Sequence, residues 1–462
     1  MPAYIDVGVV RIQEYITRTS GAAEGQLRKR RGASRMVANA AAASYLDLGL
    51  EPNPESYHVE GVAHLRSIGT LSGAEAADRA GAAIERMRAQ LPYAYLRASW
   101  ALADTYSTAF TLLDAARRGE TAEGVSGVLD YLPPPRDTPF SKRCKSCGLG
   151  EVITGDTCGD CRRRDQAGKA QTTSDAPTPE ERVLAEVNHR AHLSLTAVTD
   201  LTGLARLPVD PHAKRNHLAT IYADGNGVGK LFESIGDRTA AQTTSKDLDS
   251  AIRGAGRDAL VSLLPYCRDK SLPAVVTVLA ADDALITVPA QLGWTFTETL
   301  LTGFAQQVSG YESLSLTAGI VFSHVKSPIE AAISAADEAM RDAKRARHGQ
   351  AAIGWADLTH PGGEDAKICD LAWLRDRRQV LDLVSGLPAS QRSGWERIIA
   401  EAAAAEVDAA DLMVFFRREF NRLGSVLADL DLTLDEFQDM LDLARWWAPP
   451  RRRDQLAVDG DQ

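Results

Sequence analysis

Apolar and polar positions alternate along this chain in blocks whose period switches between about two and 3.6 residues, the signatures of strand and helix. Leu218 to Ala223 is an apolar run that stops at Asp224. Gly-Asn-Gly follows, then a helical stretch from Val228 to Ile235 that resumes from Lys246 to Leu264. Ala274 to Ala280 and Ala284 to Pro289 read as two strands joined by a turn. From Trp294 to Ser309 the residues Leu300, Leu301, Phe304 and Val308 fall at helical spacing. Through Ser315 to Phe322, by contrast, Leu314, Leu316, Ala318 and Ile320 alternate with small polar residues. A helix from Pro328 to Arg347 closes the series. This β-α-β-β-α-β order predicts a ferredoxin-like unit.

The first half repeats that order in outline. Tyr4 to Val10 reads as a strand and Ile12 to Thr19 as a helix start. "SYHVEGVAHLRSIGTL" reads as a hairpin, "GAEAADRAGAAIERMRAQL" as a helix and "YAYLRASWAL" as a strand. "DTYSTAFTLLDAARRG" is a second helix, stopped by Gly119. Pro133 to Pro135, a cysteine cluster and the polar "DQAGKAQTTSDAPTPEER" separate the halves, the last reading as a flexible insertion. After about Pro361 the patterns are helical, and Thr433 with Glu436 forms a plausible capping box. The expectation is an α+β chain: one ferredoxin-like unit over 1–130, a cysteine module and linker over 131–185, a second unit over 186–360, and a helical bundle over 361–462.

Composition narrows the function classes. The chain has 462 residues and a net charge of -10, which argues against a generally basic nucleic-acid surface. No apolar run reaches the ~20 residues a spanning helix needs. The start, "MPAYIDVGVVRIQEYI", lacks the basic and apolar regions of a signal peptide, so a cytoplasmic protein without membrane contact is expected. Basic runs at Arg28–Arg31, Arg162–Arg164 and Arg451–Arg453 read as solvated faces or frayed ends that an RNA backbone could meet.

Cys144, Cys147, Cys158 and Cys161 form two CxxC pairs across a short loop. In a cytosolic chain that spacing points to a structural zinc site with a closed thiolate sphere. Gly148 and Gly159 suit two tight knuckles, while Cys267 and Cys369 read as inert core residues. In "VVTVLAADDALITV", Asp282 and Asp283 stand at the tip of an apolar hairpin. Adjacent carboxylates resist joint ionisation, and a solvated turn would hold them at little cost. The ferredoxin-like order gives the other reading, because the first strand is flanked by the hairpin's strands and Asp224 then meets the tip. Three acids with no base nearby in sequence ask for divalent cations, magnesium or manganese, in a pair. The turn Gly225, Asn226, Gly227, Val228 and Gly229, at a helix start, can turn backbone amides toward phosphate. Lys344, on the last helix of the unit, reads either as a solvated helix end or as a phosphate contact.

"YADGNGVGKLFE", the Asp-Asp hairpin and "ADEAMRDAKRARHG" together resemble the GGDEF-type palm, and more specifically the second palm of the large polymerase-cyclase subunit of type III CRISPR effector complexes. "VRIQEYITRT...RGASRMVANA" is similar to that family's first palm, with Gln13, Tyr15 and Ser34 in matching places. The resemblance implies two palms, the first degenerate, then a zinc module between them and a helical C-terminal domain. It implies cyclic oligoadenylate synthesis from ATP when target RNA is bound, alongside other effector subunits and a guide RNA. Asp224, Asp282 and Asp283 would be the catalytic metal ligands and Lys344 a phosphate contact. The first palm shows Glu60-Gly61-Val62-Ala63 at its candidate tip, with no acid pair. The usual Gly-Gly-Asp-Asp is Ala280-Ala281-Asp282-Asp283 here, and Asn226 stands where an acid is often found. None of the nine histidines is followed by aspartate, so an HD nuclease activity is not expected. The alternatives are a stand-alone cyclic dinucleotide synthase in antiphage signalling, a diguanylate cyclase, disfavoured by two palms in one chain, and a catalytically weak nucleotide- or RNA-binding scaffold.

Overall fold

The structure is a computed structural model that describes residues 1–18, 25–56, 59–133, 142–169, 177–210, 215–235, 238–268, 270–311, 314–360, 365–422 and 433–447. Arg451–Arg453 lie outside these residues. The chain is α+β, with two large sheets. The first half, expected above to be the first palm and called so below, holds β1 (Pro2–Val10), α1 (Ile12–Thr17), α2 (Gln26–Ala41), β2 (Leu50–Pro52), β3 (Val62–Thr70), α3 (Gly73–Gln90), β4 (Tyr95–Leu102), α4 (Tyr106–Arg117) and β5 (Ser126–Tyr131). Its five-stranded sheet runs β2-β3-β1-β4-β5. The outer neighbour of β3 is therefore β2, not a strand within "SYHVEGVAHLRSIGTL"; β2 spans three residues and ends in proline, too short to leave a period.

Between the palms a small ribbon, β6 (Val152–Thr154) with β7 (Thr157–Cys158), leads into α5 (Gly159–Lys169). α5 lies against α2 at backbone distance: a Cβ on Gly32 would come 1.8 Å from Arg164 O, and one on Gly168 2.0 Å from Arg28 O. α6 (Pro179–Ala191) begins inside the stretch expected to be an insertion, because Thr178 and Glu181 cap it reciprocally. The basic runs are mostly structural. Arg28 pairs with Asp165, Lys29 donates to Ser146 at 2.8 Å, Arg31 grips Glu180, and Arg164 pairs with Asp160 at 2.8 Å. Their partners lie more than 100 positions away for the first run, which is why sequence alone left them as solvated faces.

After α7 (Leu201–Ala205), the second palm comprises β8 (His217–Asn226), α8 (Val228–Ser234), α9 (Arg238–Leu263), β9 (Val275–Ala280), β10 (Asp283–Pro289), α10 (Gly293–Gln307), β11 (Ser315–His324), α11 (Ile329–Ala346) and β12 (Ala352–Asp357). Its sheet runs β13-β12-β11-β8-β10-β9, where β13 (Lys367–Asp370) comes from the segment expected to be helical. β8 is flanked by β10 and β11, so only one hairpin strand touches it, against the expectation of two. α9 and α10 cover one face with a core that includes Ile221, Ala223, Leu260, Phe304 and Ile320. α11 covers the other. It rests directly on the sheet, since a Cβ on Gly319 would come 1.9 Å from Ala336 O and one on Gly354 2.1 Å from Ala339 O.

The remaining helices are α12 (Leu371–Asp376), α13 (Arg378–Gly386), α14 (Ala389–Ala404), α15 (Ala409–Arg422) and α16 (Leu434–Trp447). The Thr433–Glu436 capping pair starts α16, with amide-to-side-chain bonds of 3.0 and 3.2 Å. These helices share the core of the second palm. Trp446 of α16 stacks on Phe322 of β11 at 4.9 Å, with 3° between the planes, and donates to Asp357 at 2.7 Å. Among the described residues no helix is long and apolar enough to cross a membrane.

Candidate functional site

The strand period sorts β8 into two faces. Ala219, Ile221 and Ala223 join the core under α9 and α10. Thr220, Tyr222 and Asp224 then point to the α11 side, because successive side chains alternate. Asp224 lies directly opposite Asp283, the first residue of β10, in the antiparallel register. Asp282 sits over the next residue: a Cβ on Gly225 would meet Asp282 Cβ at 2.8 Å. Topology thus brings the three acids to one sheet edge. On α11, Asp337 and Lys344 are seven positions apart, two helical turns, and share a face. Lys344 donates to Gly225 O at 2.8 Å and rests against the Asp224 carboxylate.

Burial pushes the Asp282 carboxyl up to about 6, and the Asp283 charge adds to it. Burial likewise raises Asp283 to about 6, with the Asp337 charge behind it, and raises Asp337 itself. Burial lowers Lys344. The edge is therefore short of positive charge even with Lys344 present, which is the condition for binding a hard cation. The carboxylates do not close into a compact ligand set. Among the described residues the group whose ligand atoms lie within 4.8 Å of one another is that of the four cysteines. Asp224 is turned to Lys344 instead.

The glycine turn divides its work. Gly225 makes room for Asp282, and Gly227 takes φ 78 to start α8. Gly229 faces open space. Asn226 is buried and its side-chain amide donates to Ser315 at 2.8 Å, Thr317 at 2.8 Å and Gln350 O at 3.0 Å. It ties β8 to β11 and does not join the carboxylates. Val228 begins α8 and packs against the core. Ala280 ends β9, and Ala281 takes the left-handed φ of 57 in the hairpin turn, a backbone shape that favours glycine.

The cysteines fit zinc. Cys147 and Cys158 sulfurs are 3.7 Å apart, close to the ~3.8 Å edge of a tetrahedron with metal–sulfur bonds of about 2.3 Å. Backbone amides of Ser146, Gly150, Cys158 and Cys161 donate to the sulfurs at 3.2 to 3.5 Å, which favours the thiolate form. Gly148 has the left-handed φ expected of a knuckle, whereas Gly159 simply opens α5. Gly150 is the second required glycine, since its Cβ would meet Cys158 Sγ at 2.7 Å.

Residues 217–353, which carry all of the acids and Lys344, match the family model of the second palm domain of Cas10/Cmr2. They are a Cas10-type second palm. No curated protein matches the chain. Among solved structures the fold is similar to Csm1 of T. onnurineus, with 14% identity, 97% of this chain and 70% of that chain covered, and a TM-score of 0.55. A Csm1–Csm4 cassette in complex with pppApA gives 14%, 97%, 69% and 0.53. One in complex with cA3 gives 14%, 97%, 70% and 0.53. At that identity the likeness is one of fold.

Three residues at or beside the acidic edge, two of them in the Cas10-type palm, escaped the sequence reading as site residues. Asp337 carried a signal, its two-turn spacing from Lys344. Tyr222 carried a weaker one, two positions before Asp224 on the same strand face. Its partner Gln13, whose Oε1 accepts from the phenol at 2.5 Å, is 209 positions away and had no local signal of this contact.

Proposed function

We propose that the second palm joins ATP molecules through 3′–5′ linkages and closes them into cyclic oligoadenylates, as part of a type III CRISPR effector that responds to bound target RNA. The observation that carries this reading is the opposition of Asp224 and Asp283 across one register position, with Asp282 beside them, in a domain that matches the Cas10/Cmr2 second palm. The solved proteins of like fold that hold pppApA and cA3 support the choice of adenylate.

Asp224, Asp282 and Asp283 would hold divalent magnesium or manganese, which when bound activates the attacking hydroxyl and neutralises polyphosphate charge. The 3′-hydroxyl oxygen of one nucleotide bonds the α-phosphorus of the next, and the bond from that phosphorus to its bridging oxygen breaks, releasing pyrophosphate. The hydroxyl proton passes to solvent. Lys344 exchanges the Asp224 carboxylate for substrate phosphate. The open side at Gly229 admits the polyphosphate.

The test is conversion of labelled ATP, beside GTP, with magnesium or manganese, by the chain alone and with effector subunits, guide and target RNA. RNA-stimulated oligoadenylate supports the proposal. Full RNA-independent activity in the isolated chain favours the stand-alone synthase. The looseness of the carboxylate set favours the scaffold reading, which predicts nucleotide binding and no product under any of these conditions.

A further inference from the structure

The proposed chemistry leaves one polar contact at the acidic edge without a use. Tyr222 and Asp224 stand two residues apart on one face of β8. The Tyr222 phenol donates to Gln13 Oε1 at 2.5 Å, and so crosses from the second palm to the first. Gln13 belongs to α1, which has six residues. A helix that short does not hold its shape in water by itself. Its entry residue, Arg11, takes φ 55 and ψ 52, a left-handed shape that a non-glycine residue keeps only where its surroundings impose it.

The surroundings are supplied four residues after Arg11. Tyr15 is 2% exposed, and its hydroxyl meets Asp160 Oδ1 at 3.2 Å. The Arg164 guanidinium lies 4.2 Å from the centre of the Tyr15 ring and donates to Asp160 Oδ2 at 2.8 Å, itself fully buried. Asp160 directly precedes Cys161, and all three groups on that side belong to α5, the helix that carries the last cysteine of the cluster. α1 is therefore pinned at Tyr15 to the cysteine module and at Gln13 to the catalytic strand. Apolar contact between the palms is non-directional and tolerates sliding. A phenol–amide bond fixes one geometry.

Resting on the catalytic reading of Asp224, we infer that Gln13 and Tyr222 are positioning residues, and that the four-cysteine module sets the placement of Asp224 through α1. The path runs from Cys161 and Asp160 to Tyr15, along α1 to Gln13, and across to Tyr222. Gln13 and Tyr222 touch no substrate in this scheme. They act on the registration of the two palms.

Two measurements test it. In the first, Tyr222→Phe, which keeps the ring, lowers turnover at saturating ATP about fivefold, the size of one hydrogen bond, and leaves KM for ATP within about twofold. Gln13→Leu does the same, and the double variant is no slower than either single one. In the second, zinc is chelated from the full chain and hydrogen exchange is followed. The amides of Tyr15 to Thr17 and of Ala219 to Ala223 then exchange about tenfold faster, while those of α10 do not change. Multiplying losses in the double variant, or unchanged protection of α1 after chelation, overturns the inference. If the parent chain makes no product, the proposed reaction falls, and the exchange measurement alone decides whether the strut exists.

Discussion

The two palms share a four-strand core order, β2-β3-β1-β4 in the first and β9-β10-β8-β11 in the second, and one equivalent pair of positions separates them. In the first, Gly8 of β1 opposes Val62, the first residue of β3; in the second, Asp224 of β8 opposes Asp283, the first residue of β10. The first palm is closed to acids at that pair. A Cβ on Gly8 would come 2.8 Å from Val62 Cγ2 and 2.9 Å from Gly61 O. Its nearest buried acid, Asp6, is held by His64 at 2.6 Å and by Arg117. The second palm sets three acids at its edge against one lysine in contact with them. One copy of the fold has its charge neutralised from within. The other keeps carboxylates that repel one another, which a stability argument alone does not explain and a cation does.

The largest expected effect comes from breaking the acidic side of the comparison. Asp282→Ala with Asp283→Ala removes the ligands of ions worth several kcal/mol at the transition state, a loss of about a thousandfold or more in product formation. Circular dichroism should show the fold retained. A double variant that makes oligoadenylate at the parent rate would put the chemistry elsewhere.

The four-cysteine site bears on the comparison from outside both sheets. Metal analysis should give about one zinc per chain. Its removal should destabilise the first palm and α5 by several kcal/mol, seen as a separate early transition in calorimetry. An intact, reduced chain without zinc would reject the site. The converse of the acid deletion is Gly8→Asp, which tries to make the first palm resemble the second. The clash should cost about 2 kcal/mol in denaturant unfolding and bring no activity, because Val62 offers no second carboxylate.

Smaller effects sharpen the electrostatic difference. Asp282 and Asp283 are raised from 3.8 to about 6 by burial. Protonation of a group raised in the folded chain favours folding, so this contribution is full below the unfolded value and lost as pH rises through 6. The metal-free chain should lose about 2 kcal/mol of stability between about pH 4 and 7 from each of these groups. Asp282→Asn with Asp283→Asn should flatten that decline, and magnesium should oppose it. A decline unchanged in the double variant would assign it to other groups. The smallest effect is Ala281→Gly, which relieves a left-handed alanine. It should stabilise the chain by about 1 kcal/mol, read as a rise in Tm, and an unchanged or lowered Tm would deny the strain.

What was legible in the sequence was whatever local period or spacing encodes. The apolar run of β8, the hairpin acids, the CxxC pairs and the Thr433 cap all declare themselves within a few residues, although β8 itself continues past Asp224 to Asn226. What stayed hidden depends on distant partners. β2 has too few residues for a period. Arg31 finds Glu180 149 positions away, and Asn226 reaches Gln350 across 124. Gly225 suggested a phosphate approach, yet the space beside it is filled by Asp282, a packing fact that the apolar pattern does not carry.

The stacking of Trp446 on Phe322 bears on the order in which this chain is made. α16 is synthesised after every strand of the sheet it seals. While the ribosome is still adding residues, the second palm has β8, β9, β10 and β11 available but lacks the two tryptophans, Trp446 and Trp447, that complete its core. The first palm has its own core, complete far earlier in synthesis. The nascent chain should therefore complete its first palm well before its second, so that a chain stalled before α16 presents a folded first palm and an acidic edge whose core is unfinished.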